Sequence, residues 1–194
     1  MTRTILRTLT SGLALLCLCG AAGAQSLPLA DCRISAGPGY PGIKARCGTL
    51  PRPLNPDDPD SPQIELRVAV VPALNLSPET DPVVPIAGGP GQGTVEFYAM
   101  MQGAFEPLRR NRDILLVDQR GTGESARMDC PIDDDAIIFE SEFNLEDTVE
   151  FISECLERLP HDPRYFTTSV AVTDLEAVRG ALGYSALNLY GVSY

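Results

Sequence analysis

The chain has 194 residues, 26 Asp and Glu against 15 Lys and Arg, and a formal net charge of −11. So acidic a chain is a poor partner for nucleic acid or an anionic membrane. The length allows one domain with a sizeable core. With a single histidine (His161) and no close C-x-x-C pair, it offers no zinc ligand set, and no cofactor is expected.

Residues 1–24 read as a secretory signal peptide. Arg3 and Arg7 give a basic start, residues 13–19 an apolar centre, and Ala22-Gly23-Ala24 a small-residue cleavage site before Gln25. The apolar centre is too short for a stable membrane span. A lipid-anchored Cys19 is the weaker alternative, because Leu18 is bulky for lipoprotein processing. The expected destination is therefore the periplasm or the exterior, with no membrane attachment after cleavage. Removing Arg3 and Arg7 leaves thirteen basic residues facing 26 acidic ones. That balance suits a soluble exported protein and could draw in a peptide amine.

Four cysteines remain: Cys32, Cys47, Cys130 and Cys155. An even count in an exported chain favours two disulfides, and four cysteines allow three pairings. The local pairs, Cys32–Cys47 and Cys130–Cys155, are favoured.

Residues 25–63 are rich in Pro, Gly and Asp without a sustained period, and are expected to form an irregular, disulfide-clipped extension. The main domain then runs over residues 64–194. Residues 64–71 alternate and then turn fully apolar, as in a strand. Residues 83–87 form a short apolar run feeding Gly88-Gly89-Pro90-Gly91-Gln92-Gly93. A helix is predicted over residues 95–106, stopped by Pro107, then a buried strand over 113–118 and a polar loop, Gln119-Arg120-Gly121-Thr122-Gly123-Glu124-Ser125. Amphipathic helices are predicted over 145–159 and 168–182, the second ended by Gly183, and a last strand over 186–190. Strands alternating with helices imply an α/β fold with a mostly parallel sheet.

The last strand runs into Gly191-Val192-Ser193-Tyr194, four-fifths of the G-x-S-x-G nucleophile elbow, in which a sharp strand-to-helix turn lifts a serine hydroxyl outward. In an open parallel sheet, sites form where strands end, so the three glycine-bearing loops should share one edge. Glycine lets a backbone N–H turn toward a developing negative charge, the requirement of acyl transfer. One rival is a dinucleotide-binding loop at residues 88–93, but its third glycine falls one position early for G-x-G-x-x-G. Asp118 should accept hydrogen bonds from the loop N–H groups after it, and Arg120 should pin neighbouring carbonyls, both as scaffold. Asp133-Asp134-Asp135 reads as a solvated loop rather than a calcium site. Asp174 and Arg179 are expected to face solvent or brace the sheet edge.

Taken in order, Gly88-Gly89-Pro90-Gly91, Asp118 through Ser125, and Gly191-Val192-Ser193-Tyr194 resemble the proline iminopeptidase and tripeptidyl aminopeptidase family of α/β-hydrolase serine peptidases. Tyr165-Phe166-Thr167-Thr168 through Tyr184 is similar to that family's pre-elbow helix. The exported, disulfide-bearing form is closest to the secreted tripeptidyl aminopeptidase branch. The resemblance implies the N-terminal half of the α/β-hydrolase fold, truncated at the elbow. It makes Ser193 the nucleophile and gives the oxyanion hole to Gly88, Gly89 and Tyr194. It further implies a helical cap after the elbow and a peptide with a free N-terminus as substrate. Ala87 departs from the His that many relatives carry before the Gly-Gly-Pro-Gly.

In that fold the triad runs Ser, then Asp or Glu, then His, so acid and base are expected beyond Tyr194. His161 precedes the elbow and reads as a surface residue. Without a base, a serine hydroxyl is a weak nucleophile at neutral pH, and the 194-residue chain alone is expected to be inactive. The alternatives are an esterase or other acyl hydrolase of the same fold, or a truncated, non-catalytic gene product.

Overall fold

The computed structural model describes residues 26–58, 60–89, 91–130 and 145–193. The signal-peptide reading of residues 1–24, the Asp133–Asp135 loop and Tyr194 lie outside them.

Six strands form one sheet: β1 (Ala30–Ile34), β2 (Ile43–Pro53), β3 (Gln63–Val71), β4 (Val83–Ile86), β5 (Ile114–Val117) and β6 (Asn188–Gly191). Their order across the sheet is β1-β2-β3-β5-β4-β6. The pairs β1–β2, β2–β3 and β3–β5 are antiparallel, whereas β4–β5 and β4–β6 are parallel.

This corrects the expected fold class. The sheet is mixed, with most of its pairings antiparallel, and not the mostly parallel sheet with flanking helices of the α/β-hydrolase half-fold. The physical reason lies in the connections. Parallel neighbours need a crossover of a dozen residues or more, usually a helix. Among the described residues, no helix lies between β1 and β2 or between β2 and β3, so those strands return beside one another in opposite directions. The stretch expected to be irregular carries β1 and β2. There Ile43, Ala45 and Cys47 point alternately to the core between polar neighbours, a period that the surrounding Pro and Gly obscure.

The sheet is apolar on both faces. Ile34, Ala69, Val71, Ile114 and Leu116 pack against helix α1 (Thr94–Arg109) through Val95, Tyr98 and Phe105. Leu66, Val68, Val70, Leu115 and Val117 form the opposite core, which helix α3 (Thr168–Leu182) covers with Leu175 and Val178. All four residues of β5 are buried, as its unbroken Ile-Leu-Leu-Val requires of a strand covered on both sides.

Helix ends follow local chemistry. Thr167 caps α3 by accepting from the Val170 N–H, and Gly183 ends it at φ 75°. Pro107 does not stop α1, which runs on to Arg109. Helix α2 (Leu145–Arg158) is amphipathic, and the Cys130–Cys155 disulfide ties it to the loop that follows β5. The other disulfide, Cys32–Cys47, joins β1 to β2. These are the two local pairs favoured above, and they are consistent with a periplasmic or extracellular protein. Among the described residues, no helix is long and apolar enough to cross a membrane.

Candidate active site at the sheet edge

Strands β4, β5 and β6 end at the same edge, and the glycine-bearing loops meet there. Strand β6 is laid beside β4 with Val83 opposite Asn188 and Ile86 opposite Gly191. One further bond, from the Val192 N–H to the Ile86 carbonyl at 3.1 Å, carries the pairing to the turn. Ser193 follows, exposed, at φ 51°. The left-handed region is unfavourable for a residue with a Cβ, so Ser193 is held there by its surroundings.

Gly88 supplies much of that surrounding. A Cβ on Gly88 would lie 2.3 Å from the Ser193 carbonyl oxygen and 2.4 Å from that of Val192. Only glycine admits so close an approach. The loop then turns on itself, with the Gln92 N–H donating to the Gly88 carbonyl at 3.2 Å and Gly89 at φ 120°. Among the described residues, neither the Gly88 nor the Gly89 N–H has an acceptor. The third residue expected to line an oxyanion hole, Tyr194, is outside the described residues.

Asp118 holds the second loop to the first. It is buried, and its carboxylate accepts from the Val95 N–H at 2.9 Å and the Glu124 N–H at 3.1 Å. One acidic side chain thus satisfies a free N–H in the first turn of α1 and closes the 118–125 loop, with favourable charge at a helix start. Gly123 passes over it at φ 51°, where a Cβ would fall 2.2 Å from Oδ2. Ser125 completes the loop by accepting from the Arg67 N–H at 2.8 Å.

Arg120 also acts as scaffold. Buried, it donates to the carbonyls of Leu54, Tyr165 and Pro53 at 2.9, 3.0 and 3.3 Å. Its other partner corrects the expectation for Asp174. That carboxylate is 3% exposed and accepts from Arg120 at 2.7 and 2.9 Å and from Arg52 at 3.1 Å. An acid at the seventh position of an amphipathic helix gives no sequence signal for a partner 54 residues away, so the pair escapes sequence reading. Arg179 pairs with Glu176 and also donates to the Tyr184 carbonyl, just past the end of α3.

Two hollows adjoin the edge. One of about 120 Å3 lies against Gly88, Gln92, Gln119, Thr122 and Phe166. An apolar one of about 200 Å3 is lined by Leu66, Val84, Ile86, Val117, Val172 and Leu175. Arg120 borders both. His161 stacks on Phe166 with ring centroids 6.1 Å apart.

The start of β6 is fixed by side chains. Asn188 donates to the Asp81 carboxylate at 3.0 Å, and this bond, followed by the Arg112 ion pair, holds that carboxyl below the usual range. Tyr184 donates its hydroxyl to Asp113 at 2.8 Å, while Asp113 also accepts from the Ala73 N–H. Burial, reinforced by Asp113, pushes the Tyr184 phenol well above its ordinary value.

No family model matches the chain. Over 192 residues it is 27% identical to a protein of Escherichia coli (strain K12) named "Putative hydrolase YuaR", a match that covers 91% of this chain and 38% of that protein. The chain therefore spans well under half the length of this relative. At that level, the likeness supports a hydrolase.

Proposed function

We infer that this chain carries the nucleophile of an exported serine hydrolase that releases residues or short peptides from free peptide N-termini through an acyl-enzyme on Ser193. The observation that carries the reading is the exposed, positive-φ Ser193 pressed against Gly88. In this mechanism the Ser193 Oγ attacks the substrate carbonyl, and the oxygen gains negative charge. The N–H groups of Gly89 and Tyr194 stabilise that oxygen, with the Gly88 backbone setting their position. The mechanism requires a general base to take the Ser193 proton and an acid to orient that base. The tetrahedral intermediate then collapses and the amide C–N bond breaks. The amine leaves with the proton that the base drew from Ser193, and water hydrolyses the ester to restore the Ser193 hydroxyl.

The choice of a peptide amine rests on the three motifs in sequence and on the acidic balance of the chain, which favours a cationic group over an anionic one. The test is turnover of an aminoacyl or tripeptidyl fluorogenic amide and of a short-chain ester by the full-length protein and its Ser193→Ala variant. Amide turnover that requires a free amine and vanishes in the variant supports the proposal. Ester turnover alone assigns the site to an esterase, and activity retained by Ser193→Ala excludes this mechanism.

A further inference from the structure

Thirteen Lys and Arg residues lie after Arg3 and Arg7. Eight of them form ion pairs with a described carboxylate. The other five are Arg33, Lys44, Arg46, Arg109 and Arg110, and they are not scattered. All five sit at the end of the sheet opposite Ser193. Val71 is opposite Ile114, where β5 begins, so Pro72 lies at that end. Ser193 lies where β4, β5 and β6 finish.

The register builds the cluster. Arg33 is directly opposite Lys44, and Asp31 is opposite Arg46. Alternation puts Asp31, Arg33, Lys44 and Arg46 on one face, with Cys32 and Ala45 turned to the core. Directly opposite side chains start about 5 Å apart, and the next pair along lies about 7 Å away. Like charges facing each other across a ladder are destabilising. Here an overall acidic chain keeps them, with Asp31 the one carboxylate among the residues lining a cavity of about 500 Å3 with Arg33, Lys44, Arg46 and Pro72. Among the described residues, Arg33 donates only to the Gly42 carbonyl.

We propose that this cavity is a binding site for a phosphate-bearing ligand, with one phosphate held between Arg33 and Lys44 and flanked by Arg46. Guanidinium and ammonium groups converging from two strands offer charge-assisted donors of the kind that bind phosphate. The net charge of the molecule hides the site, because eight of the thirteen cations are paired with described carboxylates elsewhere.

The test is calorimetric titration of inorganic pyrophosphate into the full-length protein in 150 mM salt. Saturable binding is expected, weakened about tenfold by Lys44→Gln and by Arg46→Gln. Arg158→Gln, which removes an exposed and already paired cation, should leave it unchanged. Sedimentation with phosphatidylglycerol vesicles separates the ligand's sources. Vesicle binding displaced by pyrophosphate identifies a lipid headgroup, and pyrophosphate binding without vesicle binding identifies a soluble ligand. The proposal is overturned if pyrophosphate does not bind saturably, or if Lys44→Gln and Arg46→Gln bind it as well as the parent protein.

Discussion

Gly88 and Ser193 are in backbone contact: the position a Gly88 Cβ would occupy is 2.3 Å from the Ser193 carbonyl oxygen. Gly88→Ala must therefore push the two loops apart. We predict a loss of about 1–3 kcal/mol from overpacking, and at least a hundredfold fall in hydrolytic turnover of the full-length protein, because the serine and its facing N–H groups shift together. Urea denaturation and amide hydrolysis measure the two effects. Gly91→Ala is the control for crowding, since a Cβ there meets nothing within 4 Å, although φ 102° adds its own strain.

Removing Asp174 leaves Arg120 buried without its counter-charge. Asp174→Ala should destabilise by about 3–5 kcal/mol, the range for an orphaned buried charge. Asp174→Asn, which keeps one acceptor oxygen, should lose less. The midpoint of urea unfolding decides, and equal losses for the two variants would show that shape, rather than charge, holds the pair.

Sequence periodicity located the apolar runs of β3, β4 and β5 and the two amphipathic helices α2 and α3, although Val149, Ile152 and Leu156 of the α2 stripe are exposed while Val178 of α3 is buried. Helix α3 matches its expected bounds from Thr168 to Leu182, fixed by a Thr cap and a left-handed glycine. Strand direction was less legible. A parallel and an antiparallel strand can share one apolar pattern, and only the length of the connection separates them, so β1, β2 and β3 changed the fold class. Loop geometry was legible where a close approach dictates glycine, as at Gly88 and Gly123. The site was illegible where two distant side chains meet, as at Arg120 and Asp174.

Asp118 ties α1 to the 118–125 loop through two N–H groups. Asp118→Ala should cost about 1–3 kcal/mol by leaving buried donors unmet. Hydrogen exchange should quicken at Val95 and Glu124 before it quickens in β3. Uniform protection across both regions would contradict the linking role.

Tyr184 gives a pH signature. Its phenol is held protonated in the folded chain above its ordinary value of 10.0, so the folded state binds more protons than the unfolded state once pH passes that value. The Tyr184 contribution is therefore fully present below about pH 10 and lost as pH rises beyond it. Tyr184→Phe should remove this alkaline decline and, at neutral pH, cost about 1 kcal/mol from the lost bond to Asp113. Chemical denaturation at pH 8 and pH 11 checks both, and an unchanged alkaline decline in the variant would count against the assignment.

The most direct measurement is the site of covalent modification by a fluorophosphonate, which reacts with an activated serine and ignores an ordinary alcohol. Intact mass and peptide mapping of the full-length protein should show one adduct, on Ser193, absent from Ser193→Ala. An unmodified Ser193 in an enzymatically active preparation, or an adduct on another serine, would contradict the account.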